Sequence, residues 1–376
     1  MKIIHLSDLH LGKRVNEFPM IEEQEYILTR IINIIDEQKP DAVIIAGDLY
    51  DKSIPSEEAV RLCDSFITKI SDRNIKLLII SGNHDSSERI AFGGRLMKKS
   101  GVFVSPAYRA SEEVSIEPIA FEDEYSKEFG PVNFYLLPYI RPTLVKEAID
   151  RMKVDKTQRN ILVAHQFVAG SDTCDSEEVS VGGIDNVETD IFEDFDYVAL
   201  GHLHGPQSVG RDSIRYCGTP LKYSFSEKDH KKSVTLVEIK EKRDAKAYGD
   251  LEINTIPLKS EHDWREIRGS YEELTLKANY EETDTEDYLR IILTDEEEIP
   301  DVMTKLRTIY PNIMRLEYAN SKSKMGAITA FGEQAVLKTE AELFAELFYK
   351  QNGRDMSDKQ REIVESLITE IKGDYR

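Results

Sequence analysis

Ala42-Val43-Ile44-Ile45-Ala46-Gly47-Asp48-Leu49-Tyr50-Asp51 is the stretch from which the rest of the chain can be read. Five apolar residues run without a break and then give way to glycine and acid. A short, continuous, β-branched run bounded by glycine is the pattern of a strand covered on both faces, as the central strands of parallel sheets are. The pattern recurs. Residues 2–6 lead into Ser7-Asp8-Leu9-His10, and residues 76–80 into Gly82-Asn83-His84-Asp85. Residues 161–164 lead into His165, and residues 197–200 into Gly201-His202-Leu203-His204. In α/β sheets, ligands bind beyond the carboxyl ends of the strands. If these strands share a direction, their polar ends converge on one edge, and the glycines at 47, 82 and 201 let the backbone turn sharply there.

Helical periodicity fills the gaps. Residues 22–37 place Ile27, Ile31, Ile34 and Ile35 on one face. Residues 56–71 open with Ser56 as N-cap and with Glu57 and Glu58 in the first turn, then align Val60, Cys63, Phe66, Ile67 and Ile70. Strand patterns at 132–137, 213–217 and 233–239 call for a second sheet, and two packed mixed sheets with outer helices is the simplest layering. The expected fold class is therefore α/β, with residues 1–250 as the main domain. Residues 251–320 read as a small α+β domain of alternating strands and helices. A linker at Ser321–Lys324 then precedes a helical tail, residues 325–376, whose apolar stripes include Phe344, Leu347 and Phe348, then Ile363, Leu367 and Ile371.

Composition limits the function. The chain has 376 residues, 40% hydrophobic and 32% charged, which is ordinary for a globular protein. No apolar run approaches the ~20 residues of a membrane helix. The N-terminus has no signal-peptide pattern, so a cytoplasmic location is expected. Three scattered cysteines, Cys63, Cys174 and Cys217, exclude a disulfide framework. The net charge of −21 is no electrostatic footprint for DNA, so a nucleic-acid substrate would need local cations, bound metal or a partner.

The strand-end residues carry the chemistry. Carboxylate and amide oxygens mixed with imidazole nitrogens suit Mn, Fe, Zn or Co, and not calcium. Asp8, His10, Asp48, Asn83, His165, His202 and His204 are too many ligands for one ion, whereas two ions sharing a bridging carboxylate use them economically. One such residue would ordinarily be a turn or a satisfied core group. Five of the eight histidines lie at these strand ends, which makes that reading improbable for the set. His5, inside a strand, reads as structural; His230 and His262 have no assigned role.

The set Asp-x-His, Gly-Asp-x-x-Asp, Gly-Asn-His-Asp, a lone His and Gly-His-x-His resembles the calcineurin-like metallophosphoesterases. That resemblance implies one metal on Asp8, His10, Asp48 and His204, and another on Asp48, Asn83, His165 and His202. It implies that His84 is no ligand but a general acid or transition-state stabiliser. Asp51 matches the acid that orients that imidazole; capping the helix that begins at Ser56 is an equal alternative. Lys52 stands where the phosphoprotein phosphatases have Arg, which counts against that branch.

The stretches 4–12, 196–207 and 216–227 are closer to the SbcD nuclease subunits. This resemblance implies a DNA nuclease that uses two divalent ions, Mn²⁺ preferred, to activate a hydroxide. It also implies a homodimer within a heterotetramer with an SbcC-type, SMC-like ATPase in DNA repair, recombination and replication. Residues 251–320 would be its capping domain and the tail its docking element for the ATPase. A stand-alone nucleotide phosphodiesterase and a non-enzymatic adaptor remain the other readings.

Overall fold

The computed structural model describes residues 1–108, 116–121, 130–177, 186–240 and 251–320, with a few further positions, mostly between 344 and 364. Two six-stranded sheets form its centre. The first has the spatial order Leu251–Pro257, Ser233–Ile239, Lys2–Leu6, Ala42–Ala46, Lys76–Ile80, Val102–Val104, and its last four strands are parallel. The second runs Gln207–Val209, Arg211–Tyr216, Tyr197–Gly201, Arg159–His165, Val132–Leu137, Ile119–Phe121, with its central four parallel. Antiparallel strands close both edges of the second sheet and one edge of the first. The sheets are mixed, as expected, and the five motif-bearing strands point the same way within their own sheet.

Strand alternation sorts the side chains into three cores. Ile44, Ala46, Leu78 and Ile80 of the first sheet meet Phe134, Ile161, Val163 and Ala199 of the second. On the outer face of the first sheet, Val43, Ile45, Leu77 and Ile79 pack under helices Ile21–Gln38 and Glu57–Ser71. Helix Pro142–Asp150 covers Leu162, Ala164 and Leu200 on the far side. The result is a four-layer α/β/β/α sandwich. Helix Glu57–Ser71 is capped by Ser56, whose side chain accepts from the Ala59 N–H. Its Phe66 and Ile70 are buried, while Val60 is 44% exposed.

A boundary at residue 250 falls one strand too early. Leu251–Pro257 pairs along its whole length with Ser233–Ile239 and belongs to the first sheet. The small three-stranded sheet, Trp264–Gly269, Tyr288–Leu293 and Ile313–Tyr318, begins only afterwards. Trp264 and Tyr288 pack with the helix side of the first sheet. Buried Glu23, in the first turn of the long helix, accepts hydrogen bonds from the backbone N–H groups of Glu261 and His262 and from the His262 ring. The linker at 321–324 and most of the tail lie outside the described residues. Of the tail residues named above, Phe344 and Ile363 are described, both exposed, and Phe348 is partly buried.

Candidate metal centre

The chain bends hard where the strands of the first sheet end. Asp8, His10 and Asp48 have φ of 53°, 45° and 49°, and His202 of the second sheet has 104°. They are four of the nine non-glycine residues with positive φ among the described residues, a conformation that side chains disfavour and that clusters at functional sites. Backbone bonds continue the pairing past the strands: Asp8 N–H donates to Gly47 O, His10 N–H to Asp48 O and Leu11 N–H to Leu49 O, each at 3.0 Å. The Asp85 carboxylate then gathers the N–H groups of Leu49, Tyr50 and Gly82, also at 3.0 Å each.

Two of the three glycines serve a purpose other than turning. Only Gly47 has positive φ, 88°. At Gly82 an added Cβ would lie 2.1 Å from Asp48 Oδ1, and at Gly201 it would lie 1.9 Å from Ala46 O and 2.8 Å from His165 Nδ1. These two positions need room, because the neighbouring backbone and the acid come within a side chain's width.

All seven expected ligands gather at this edge. His10 Nε2 and His204 Nε2 face each other at 3.2 Å, and Asp48 Oδ2 is 3.8 Å from His10 Nε2. On its other side Asp48 Oδ2 is 3.4 Å from His165 Nε2. Asn83 Oδ1 lies 2.9 Å from His165 Nε2 and 3.0 Å from His202 Nδ1. Donor atoms of Asp8, Asp48 and His165 fall within 4.8 Å of one another. Adjacent ligands held about 2.1 Å from an ion sit about 3 Å apart, so the donor set fits two cations on either side of Asp48.

Burial and the charge of Asp48 set the electrostatics of these groups. Burial, with cationic neighbours, holds His10 well below its ordinary range and His202 at about 3, so both rings are neutral lone-pair donors. Burial and the nearby Asp48 charge raise Asp8 to about 6. Burial opposes the charge of Asp48 and of His165 alike, yet each favours the ionised form of the other. His165 is lifted to about 9, and Asp48 is held far below the carboxylate range.

His84 is half-buried, as Asn83 and His202 are. Its backbone N–H donates to Asp48 Oδ1 at 2.9 Å, and its ring packs edge-on against His10. Its Nδ1 lies 3.0 Å from the backbone carbonyl of Asp51, which therefore accepts from it. The expectation that the Asp51 carboxylate orients this ring needs correcting: that carboxylate takes the Lys13 ammonium at 2.7 Å and lies 3.8 Å from His10 Nδ1. Nor does Asp51 cap the following helix, a role that Ser56 fills.

Several supporting residues are not legible in the sequence. Gln24 donates from Nε2 to the His10 carbonyl at 2.8 Å and accepts from Gly12 N–H at 2.9 Å. Tyr223 OH donates to Leu9 O. Glu227 and Lys232 form a buried pair beside His204. Buried polar residues in otherwise apolar surroundings are the available signal, but a single sequence does not reveal burial of that kind. His5, by contrast, is structural as expected: its Nδ1 bonds Tyr197 OH between the sheets.

The calcineurin-like phosphoesterase family matches residues 1–206, and the type 5 capsule protein repressor C-terminal domain matches residues 261–352. The SbcD subunit of the SbcCD nuclease of Staphylococcus epidermidis is 31% identical over 392 residues, covering 99% of each chain. This chain belongs to the SbcD nuclease family. Among solved structures, an archaeal phosphodiesterase aligns at 12% identity, a TM-score of 0.33, and 69% and 100% coverage of this chain and that one. A protein of Thermus thermophilus aligns at 12% identity and a TM-score of 0.39, covering 68% and 98%. By its family model and its staphylococcal relative the chain is a calcineurin-like phosphoesterase, an enzyme of the phosphodiesterase and nuclease kind, in a family that works with divalent metal ions. Among its described residues no helix is long and apolar enough to cross a membrane.

Proposed function

We propose that this SbcD nuclease cleaves DNA phosphodiesters with two divalent ions, Mn²⁺ preferred. Asp8, His10, Asp48 and His204 would hold one; Asp48, Asn83, His165 and His202 would hold the other. The observation that carries this reading is the spacing of their donor atoms, about 3 Å, on both sides of Asp48. The mixed oxygen and imidazole set supports a Mn²⁺-type ion. Such a pair, when bound, polarises the phosphate and lowers the pKa of water. The protein's own residues do the rest. Asp48 joins the two halves of the centre. His84, with Nδ1–H committed to the Asp51 carbonyl, presents Nε2 to the leaving oxygen and assists its departure. Asp51 acts through that carbonyl, and Lys13, paired with its carboxylate, leaves a cation at the rim.

The staphylococcal relative is named as part of an SbcCD nuclease, and we infer a comparable complex here: a cytoplasmic assembly with an SbcC-type ATPase on DNA, in repair, recombination and replication. A homodimer is supported by apolar groups left in solvent in the segments that follow Asp51 and Asp85: Ile54 is 72%, Phe92 85% and Leu96 73% exposed. The small sheet would be the capping domain and the tail the docking element for the ATPase. The test is incubation of the metal-stripped chain, with and without the co-expressed ATPase, on single-stranded circles and linear duplex DNA. Mn²⁺ should restore single-strand cleavage by the chain alone, and duplex degradation should require the ATPase and ATP. Failure to cut either DNA under all conditions, together with hydrolysis of small nucleotide diesters, would overturn the reading.

A further inference from the structure

His204 is held at every polar atom. Its N–H donates to the Glu177 carboxylate, and its carbonyl accepts from Lys232 Nζ at 2.9 Å and from Thr219 N–H at 3.2 Å. Ring Nε2 faces His10, and ring Nδ1 lies 2.8 Å from Ser176 Oγ. Ser176 Oγ is in turn 2.6 Å from Glu227 Oε1. Glu227 is fully buried, and its second oxygen accepts from Lys232, which is 5% exposed.

Counting protons decides the direction of this chain. An ionised carboxylate only accepts, so Ser176 is the donor in its 2.6 Å contact with Glu227, and His204 Nδ1, itself 3.4 Å from the same oxygen, faces an acceptor there as well. Ser176 then offers His204 only a lone pair, and the hydrogen of the neutral ring must sit on Nδ1. Nε2 is left bare, facing His10. A serine alone would rotate and serve either tautomer; Glu227 removes that choice. Lys232 balances the charge of Glu227 where water does not reach, and also grips the His204 main chain. The remaining expected ligands are held otherwise. His165, for instance, donates from Nδ1 to Ala46 O at 2.9 Å, a bond to the opposite sheet.

We propose that Ser176, Glu227 and Lys232 are positioning residues that fix the tautomer and ring angle of His204, and so set the affinity of one of the two metal ions without affecting the other. This rests on the two-metal reading above. The alternative is that the pair merely ties the 219–232 segment in place.

Calorimetric titration of the metal-stripped full chain with Mn²⁺ separates them. Ser176 is only partly buried, so Ser176→Ala leaves the Glu227–Lys232 pair intact and the fold undisturbed. It should weaken one of two sites by about 10–100-fold, the usual cost of losing a group behind a ligand, and leave the other unchanged. Ser176→Thr, which restores the hydroxyl, should bind both ions as the unaltered chain does. If Ser176→Ala binds both ions normally, or loses affinity equally at both, the positioning role is overturned. If the unaltered chain saturates with one ion, the two-metal reading fails first and this one falls with it.

Discussion

The two sheets supply unlike chemistry to one edge. The first delivers Asp8, Asp48 and Asn83, with His10 and His84; the second delivers only imidazoles, His165, His202 and His204. The backbones differ to match. Asp8, His10 and Asp48 all have positive φ, and the loops that carry them are laced together by main-chain bonds. His165 is the last residue of a regular strand and needs no such bend. Short carboxylate side chains reach a shared point only if the main chain is brought close. An imidazole reaches out of ordinary strand geometry, and what must then be controlled is its ring. Backbone strain does most of the work on the first side; on the second only His202, with φ of 104°, shares it, and hydrogen bonds hold the rings of His165 and His204.

The comparison can be broken most severely at Asp48, where both halves meet. Asp48→Asn should weaken both metal sites and lower the nuclease rate by more than the ~10²–10⁴-fold that loss of a general acid brings. Elemental analysis after dialysis against Mn²⁺ checks the first part and a DNA cleavage assay the second. His84→Leu should lose ~10²–10⁴-fold in rate while keeping two ions, as the general-acid role proposed for its ring requires. A variant depleted of metal would show that His84 is a ligand. Gly201→Ala tests the junction of the sheets. Its Cβ would meet the Ala46 carbonyl, a main-chain atom within the opposite sheet, and should cost about 3 kcal/mol, read as a lowered denaturation midpoint. Tyr197→Phe, away from the centre, removes the inter-sheet bond to His5 and should cost only about 1 kcal/mol, with metal content unchanged.

The same buried His5 adds a pH signature. Burial, with Arg215 nearby, lowers it to about 3, against about 6.5 when unfolded. The unfolded chain therefore binds the extra proton, and stability falls as pH drops from about 6.5 toward 3. The pH dependence of denaturant titrations across that window should be shallower in His5→Gln.

The central strands are legible because Ala42–Ala46 and residues 77–80 are unbroken apolar runs and His5 alone interrupts residues 3–6, and burial on both faces demands that. The ligands are legible for a related reason: each follows its strand within a few residues, so local spacing carries them to the edge. Asp51 marks where spacing stops helping. Its position beside His84 is readable, but the contact is made by its carbonyl, and sequence does not say which atom of a residue does the work. Gly82 and Gly201 read as turn formers when their task is to leave space, a property of what sits opposite. Ser176, Glu227, Lys232 and Gln24 act on residues many positions away, and nothing local distinguishes them from surface polar groups. Leu251–Pro257 alternates exposed and half-buried residues as an edge strand does, so the change in composition there resembles a domain boundary.

Asp85 ligates nothing in this scheme, yet its carboxylate collects amides from two separate loops. Those amides cannot open one at a time without leaving a buried charge short of partners. The carboxylate thus ties the loop after Ala42–Ala46 to the loop after Lys76–Ile80, and hydrogen exchange should find the amides of Leu49, Tyr50 and Gly82 protected to a similar degree, as one local unit.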